Sequence, residues 1–182
     1  MTTPTPDPRY LELFPAWLRT LGPDSAALAL VASGDGPDPL RRYVIAGLNY
    51  VFKSLDLIPD GIDDLGYLDD AFVLRVAAAL ALTDHPEPTG PGADVLSRLA
   101  ADARAVKDFL GQDYARLESY VEHLRDGAAR GRTVDEIMKD PDVRRAFISE
   151  VKAWSQSFEA PSFTHDPKTL IRLRSFLNAK LP

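Results

Sequence analysis

The stretch Tyr50-Val-Phe-Lys-Ser-Leu-Asp56-Leu-Ile-Pro-Asp60-Gly-Ile-Asp63-Asp64-Leu-Gly66-Tyr67-Leu68-Asp69-Asp70 separates two apolar segments of different character. Before it, Leu40, Tyr43, Val44, Gly47, Leu48, Val51 and Phe52 recur three and four residues apart, which predicts an amphipathic helix from Pro39 to Leu55. After it, Leu68 to Leu82 is apolar almost all round, the pattern of a buried central helix. A connection this short between two such helices predicts an antiparallel helical hairpin. The connection is also where the charge lies. The chain has 182 residues, 20 Asp against 7 Glu, and a net charge of −6. Six aspartates fall between Asp56 and Asp70, no Lys or Arg occurs between Lys53 and Arg75, and outside that window 21 acids balance 21 bases.

Working outward, four Asp-Pro pairs (Asp7-Pro8, Asp38-Pro39, Asp140-Pro141 and Asp166-Pro167) read as helix starts. In each, the carboxylate can accept an orphan N–H, and proline has none to satisfy. The first helix is expected from Pro8 to Leu21 with a kink at Pro15, followed by a short helix from Asp24 to Ala32. Val95, Leu99, Val106 and Phe109 mark a helix beyond the hairpin, Leu117, Val121 and Leu124 another opening at Asp113, and Gly127 to Arg132 a break. Thr133-Val-Asp-Glu136 is a capping box. Helices starting at Pro141 and Pro167 complete the chain.

No segment alternates with period two, so the expectation is an all-α bundle of about seven or eight helices around the central hairpin, with no sheet. The expected organisation is a disordered tail over 1–8, a helical subdomain over 9–84 with the hairpin at 40–82, a Pro/Gly linker over 85–93, and a C-terminal helical subdomain over 94–182. Trp17, Tyr43, Tyr50 and Trp154, at helical spacings, are expected in the core.

Composition excludes several classes of function. With no cysteine there is no disulfide scaffold, thiol nucleophile, zinc finger or iron–sulfur cluster. His85, His123 and His165 are isolated from one another, so no local histidine metal motif exists, and His165-Asp166 has no second histidine helix to complete a phosphohydrolase. Neither a Gly-x-Ser-x-Gly elbow nor a phosphate-binding glycine loop occurs. The acidic balance, with no basic stripe, argues against nucleic acid as a partner. No apolar run approaches the ~20 residues that span a bilayer, and the first residues do not form a signal peptide, so the expected location is cytoplasmic.

Asp-Leu-Ile-Pro-Asp at 56–60 followed by Gly-Tyr-Leu-Asp-Asp at 66–70 resembles the signature of the YkvA-like family, bacterial domains of unknown function. The resemblance spans about 40–82 and implies a helical hairpin module with no established reaction. Here Leu55 stands where the family usually has proline, and Asp63-Asp64 where it favours an apolar stretch.

Asp69 and Asp70 at a helix N-terminus are explained as caps, and Asp60 before Gly61 as a turn. Asp56 follows a helix C-terminus, where the dipole disfavours an anion, and therefore needs a partner. The sequence leaves two readings open. In the first, the protein is a non-enzymatic structural or interaction module whose acidic loop braces the hairpin or docks on a basic protein partner. In the second, Asp56, Asp60, Asp69 and Asp70 ligate Mg²⁺ or Mn²⁺, for metal binding or phosphoester hydrolysis. Calcium binding of the EF-hand type fails because Ile58 and Tyr67 occupy ligand positions. A third reading is contact of the basic helix 167–182 with an anionic membrane surface.

Overall fold

The computed structural model describes residues 4–52 and 56–182. The described chain is mostly helical. Helix α1 (Tyr10–Ala32), α2 (Asp38–Tyr50) and α3 (Leu68–Leu82) are followed by α4 (Ala93–Leu110), α5 (Tyr114–His123), α6 (Val134–Lys139), α7 (Pro141–Ser157) and α8 (Pro167–Lys180). The expected end of α2 at Leu55 lies outside the described residues.

Helix α3 is the central element, with nearly every position buried, including Arg75. Its alanines let neighbours approach closely. On α2, Gly47 packs so tightly that a Cβ there would stand 3.1 Å from the Ala77 methyl and 3.2 Å from Leu74. On the other side, α4 packs along α3 across the Pro/Gly segment. Tyr10, Phe14 and Trp17 of α1 meet Phe72 of α3 and Phe109 of α4 with ring centroids 4.9–6.0 Å apart, mostly edge to face. Each such pair adds about 0.5–1.5 kcal/mol beyond the area it buries. Trp17 and Tyr50 are in the core as expected, while Tyr43 and Trp154 are half-buried at its edge.

Three expectations need correction. Residues 10–32 form one helix, although Pro15 and Pro23 lie inside it. The region around Pro23 is held by tertiary contacts that local propensity does not register: Gly22 faces α7, with Ser155 O 2.9 Å from where a Cβ would sit, and Asp24 is drawn into a buried ion-pair network. The Asp-Pro rule holds at Asp140, which accepts from Asp142 N and Val143 N, and at Asp166, which accepts from Lys168 N, but fails at Asp38. There α2 begins on Asp38 itself, with Pro37 as the flanking residue and no side-chain cap.

The sheet is the third. Gly127 to Thr133 contains a two-stranded antiparallel hairpin, β1 (Ala128–Ala129) and β2 (Arg132–Thr133). Its two-residue turn, Arg130-Gly131, has positive φ at both positions, 49° and 76°, the geometry that matches strand twist. Strands of two residues are too short to show alternation, and arginine at a left-handed turn position is not a recognisable hairpin signal.

Candidate functional site

The acidic connection folds back so that its two ends meet. Tyr50, the last residue of α2, is buried, and its hydroxyl donates to Asp69 Oδ2 at 2.5 Å while accepting from Leu57 N at 2.8 Å. Ile58 N donates to the same carboxylate oxygen at 3.2 Å. Asp69 thereby ties the end of α2, the start of the connection and the first turn of α3. Leu57 and Ile58 are buried, so these polar groups are bonded within an apolar setting, where an unmade hydrogen bond is costly.

Asp69 and Asp70 do not cap α3. The flanking position is Tyr67, in the left-handed region at φ 67°, and it makes no side-chain capping bond. Left-handed backbone is costly for a bulky residue. Tyr67 is held there by its ring, which packs on Phe158 at 5.1 Å and Trp154 at 6.4 Å, both in or next to α7. Gly66 before it is required sterically: its Cβ would lie 2.3 Å from the Asp60 carbonyl oxygen. Of the motif glycines and aromatics, both therefore serve the turn.

Asp70 is 1% exposed, and among the described residues neither of its carboxylate oxygens has a hydrogen-bond partner. Burial drives its pKa well above the ordinary carboxylate value, and the charges of Asp69, Asp60 and Asp56 push in the same direction. Burial likewise raises Asp69, to about 6, against the hydrogen bonds from Tyr50 and Ile58 that favour its charged form. Asp60 is at the surface; partial burial raises it, opposed by the Tyr67 hydroxyl facing it. Burial, then the neighbouring Asp69 and Asp70, raises Tyr50, keeping it a neutral donor. Asp56 is half-buried, Asp63 is exposed and Asp64 sits at φ 68°. The four motif aspartates thus influence one another electrostatically. Among the described residues, however, no group of three or more His, Asp or Glu side chains is arranged to hold a metal ion.

Residues 41–75 match the family model of a protein of unknown function, DUF1232. No curated protein and no solved structure matches the chain. The DUF1232 segment lies inside the stretch 40–82 that carries the sequence signature, and it contains the whole Tyr50–Asp69 brace.

It ends at Arg75, the one charged residue in the apolar run from Ala71 to Leu82. The side chain is fully buried; its Nε donates to Asp102 Oδ2 at 3.2 Å and Nη1 to the Ala71 carbonyl at 3.1 Å. Nη2 lies 4.0 Å from Asp24 Oδ2, and the guanidinium stacks 4.0 Å over Trp17. Arg98 pairs with the other oxygen of Asp24. Burial lowers Arg75 to about 10, opposed by Asp102 and Asp24, and the network links α1, α3 and α4. The second residue missed is Tyr50. Its only sequence signal is a tyrosine at the end of an apolar helix just before an acidic run.

The remaining candidates are dispersed. His123 lies 2.6 Å from the Ser119 carbonyl and His165 is 2.6 Å from Glu12, both at the surface. Helix α8 buries Leu170, Leu173 and Leu177. Its Arg174 bonds the Pro4 carbonyl and stacks on Phe109. No helix is long and apolar enough to cross a membrane, among the described residues.

Proposed function

We propose that the chain is a non-catalytic helical interaction module, built on a YkvA-like hairpin whose acidic connection is an internal brace. The observation that carries this reading is the Asp69 carboxylate, which accepts from both the Tyr50 hydroxyl and Ile58 N at 1% exposure. A carboxylate consumed by its own fold and sealed from solvent is not presented to a substrate. Asp70 is equally sealed, so two of the six aspartates in this stretch are withdrawn from the surface, while Asp60 and Asp63 stay exposed.

The test is thermal denaturation of wild type and Tyr50→Phe. Removing the hydroxyl leaves Leu57 N without its acceptor and Asp69 with Ile58 N as its remaining donor, at a cost of about 1–3 kcal/mol. The variant is expected to melt several degrees lower. Mg²⁺, Mn²⁺, Ca²⁺ or a chelator should leave wild type unchanged. A melting temperature that rises with one of these cations, and ceases to do so in Asp70→Asn, would replace the brace with a cation site. That alternative draws its support from the two Asp70 oxygens, which have no hydrogen-bond partner among the described residues.

A further inference from the structure

A groove of about 640 Å³ runs between the turn that joins α1 to α2 and the Pro/Gly segment that joins α3 to α4. Its floor is apolar, formed by Leu30, Val31 and Leu40. Leu30 is 43% exposed, one of the few large apolar side chains so presented among the described residues. Its walls carry Asp35, Asp84 and Glu87, all exposed, and among the described residues no lysine or arginine lines it. Arg41, just beyond the Asp35–Leu40 side of the groove, is committed elsewhere, donating through Nε and Nη2 to the Ala32 carbonyl and through Nη1 to Asp38. Among the described residues none of the three acids forms an ion pair.

The groove is preformed. Four prolines in its lining, Pro37, Pro86, Pro88 and Pro91, fix their own φ angles. The Pro/Gly segment is seated directly on α1, since a Cβ on Gly92 would stand 2.4 Å from the Ala27 carbonyl. A rigid wall loses little entropy when a ligand binds.

We propose that this groove docks an extended segment of a partner protein, with an apolar side chain set on Leu30 and Val31 and flanking lysine or arginine side chains against Asp35, Asp84 and Glu87. Charge complementarity selects the occupant: an apolar floor ringed by acids rewards an apolar anchor and rejects acidic flanks. The proposal rests on reading the chain as an interaction module, but it involves none of the residues of the Tyr50–Asp69 brace.

The experiment is amide-resolved NMR titration of the full chain with a short peptide alternating arginine and leucine, and with the same peptide carrying glutamate for arginine. Shifts confined to residues 30–40 and 84–93, weakening as salt rises, are expected for the basic peptide, and none for the acidic one. The combined variant Asp35→Asn, Asp84→Asn, Glu87→Gln should bind about tenfold more weakly, as three partly exposed charge pairs suggest. Its helical circular dichroism should equal wild type, because all three side chains are exposed. Shifts centred on the acidic connection at 56–70, or unchanged affinity in the combined variant, would overturn the proposal. So would salt-independent self-association lost in Leu30→Ser, which would assign the groove to a second copy. None of these outcomes depends on how Tyr50→Phe behaves.

Discussion

Asp70 is buried, and three aspartates disfavour its anion. Asp69, beside it, is bonded yet still raised to about 6 by burial. A carboxyl whose pKa is higher folded than unfolded contributes stability that is complete below the unfolded value, near 3.8, and is lost as pH rises through the folded value. The melting temperature should therefore rise as pH falls from about 7 towards 5. Asp113 and Asp135 are held low by Asn178 with Arg116 and by Lys139 with Arg42, respectively. Their contribution is lost only below about 3.8 and does not mask the trend. Asp70→Asn removes the charge while keeping the shape, so it should raise the melting temperature at pH 7 and flatten the profile. Calorimetry across that range decides it, and a wild-type melting temperature that falls on mild acidification contradicts the assignment.

The connection between α2 and α3 is an element defined by backbone proximity rather than by regular structure. Gly66 N donates to Ile62 O at 2.9 Å, and the Gly66 Cα faces the Asp60 carbonyl so closely that no side chain fits. Gly66→Ala forces main chain against main chain and should cost about 1–3 kcal/mol. Gly61→Ala, five residues earlier, meets nothing within 4 Å and should lie within about 0.5 kcal/mol of wild type. Denaturant titration of the pair separates the packed glycine from the merely local one. The residue types of this motif were legible in sequence, and so was the hairpin they join. What each aspartate does was not. Asp69 and Asp70 sit where caps belong, yet one is turned to Tyr50 and Ile58 and the other is buried, because the connection folds over the first turn of α3.

Across the molecule, Arg75 joins three helices that the chain visits at well-separated positions. Removing it in Arg75→Ala leaves Asp102 without the guanidinium, Asp24 with only Arg98 and the Thr20 hydroxyl among the described residues, and a void beneath Trp17. The expected loss is about 3–5 kcal/mol, read from chemical denaturation. Arg98→Ala, whose side chain is 46% exposed, should cost about 1 kcal/mol or less. Equal losses in the two variants would show that the buried position of Arg75 confers no special role.

By itself the sequence determined the helical class, the hairpin and the position of its acidic connection, and helix starts such as Asp140 and Asp166, because periodicity and capping act over a few residues. Tertiary structure decided whether residues 10–32 form one helix or two, and folded Gly127 to Thr133 into a strand pair. It also turned Asp69 and Asp70 inward and made an acidic groove from two distant turns. Those outcomes depend on which groups meet across the fold, and hydrogen bonding, desolvation and charge are set by neighbours that sequence order does not name.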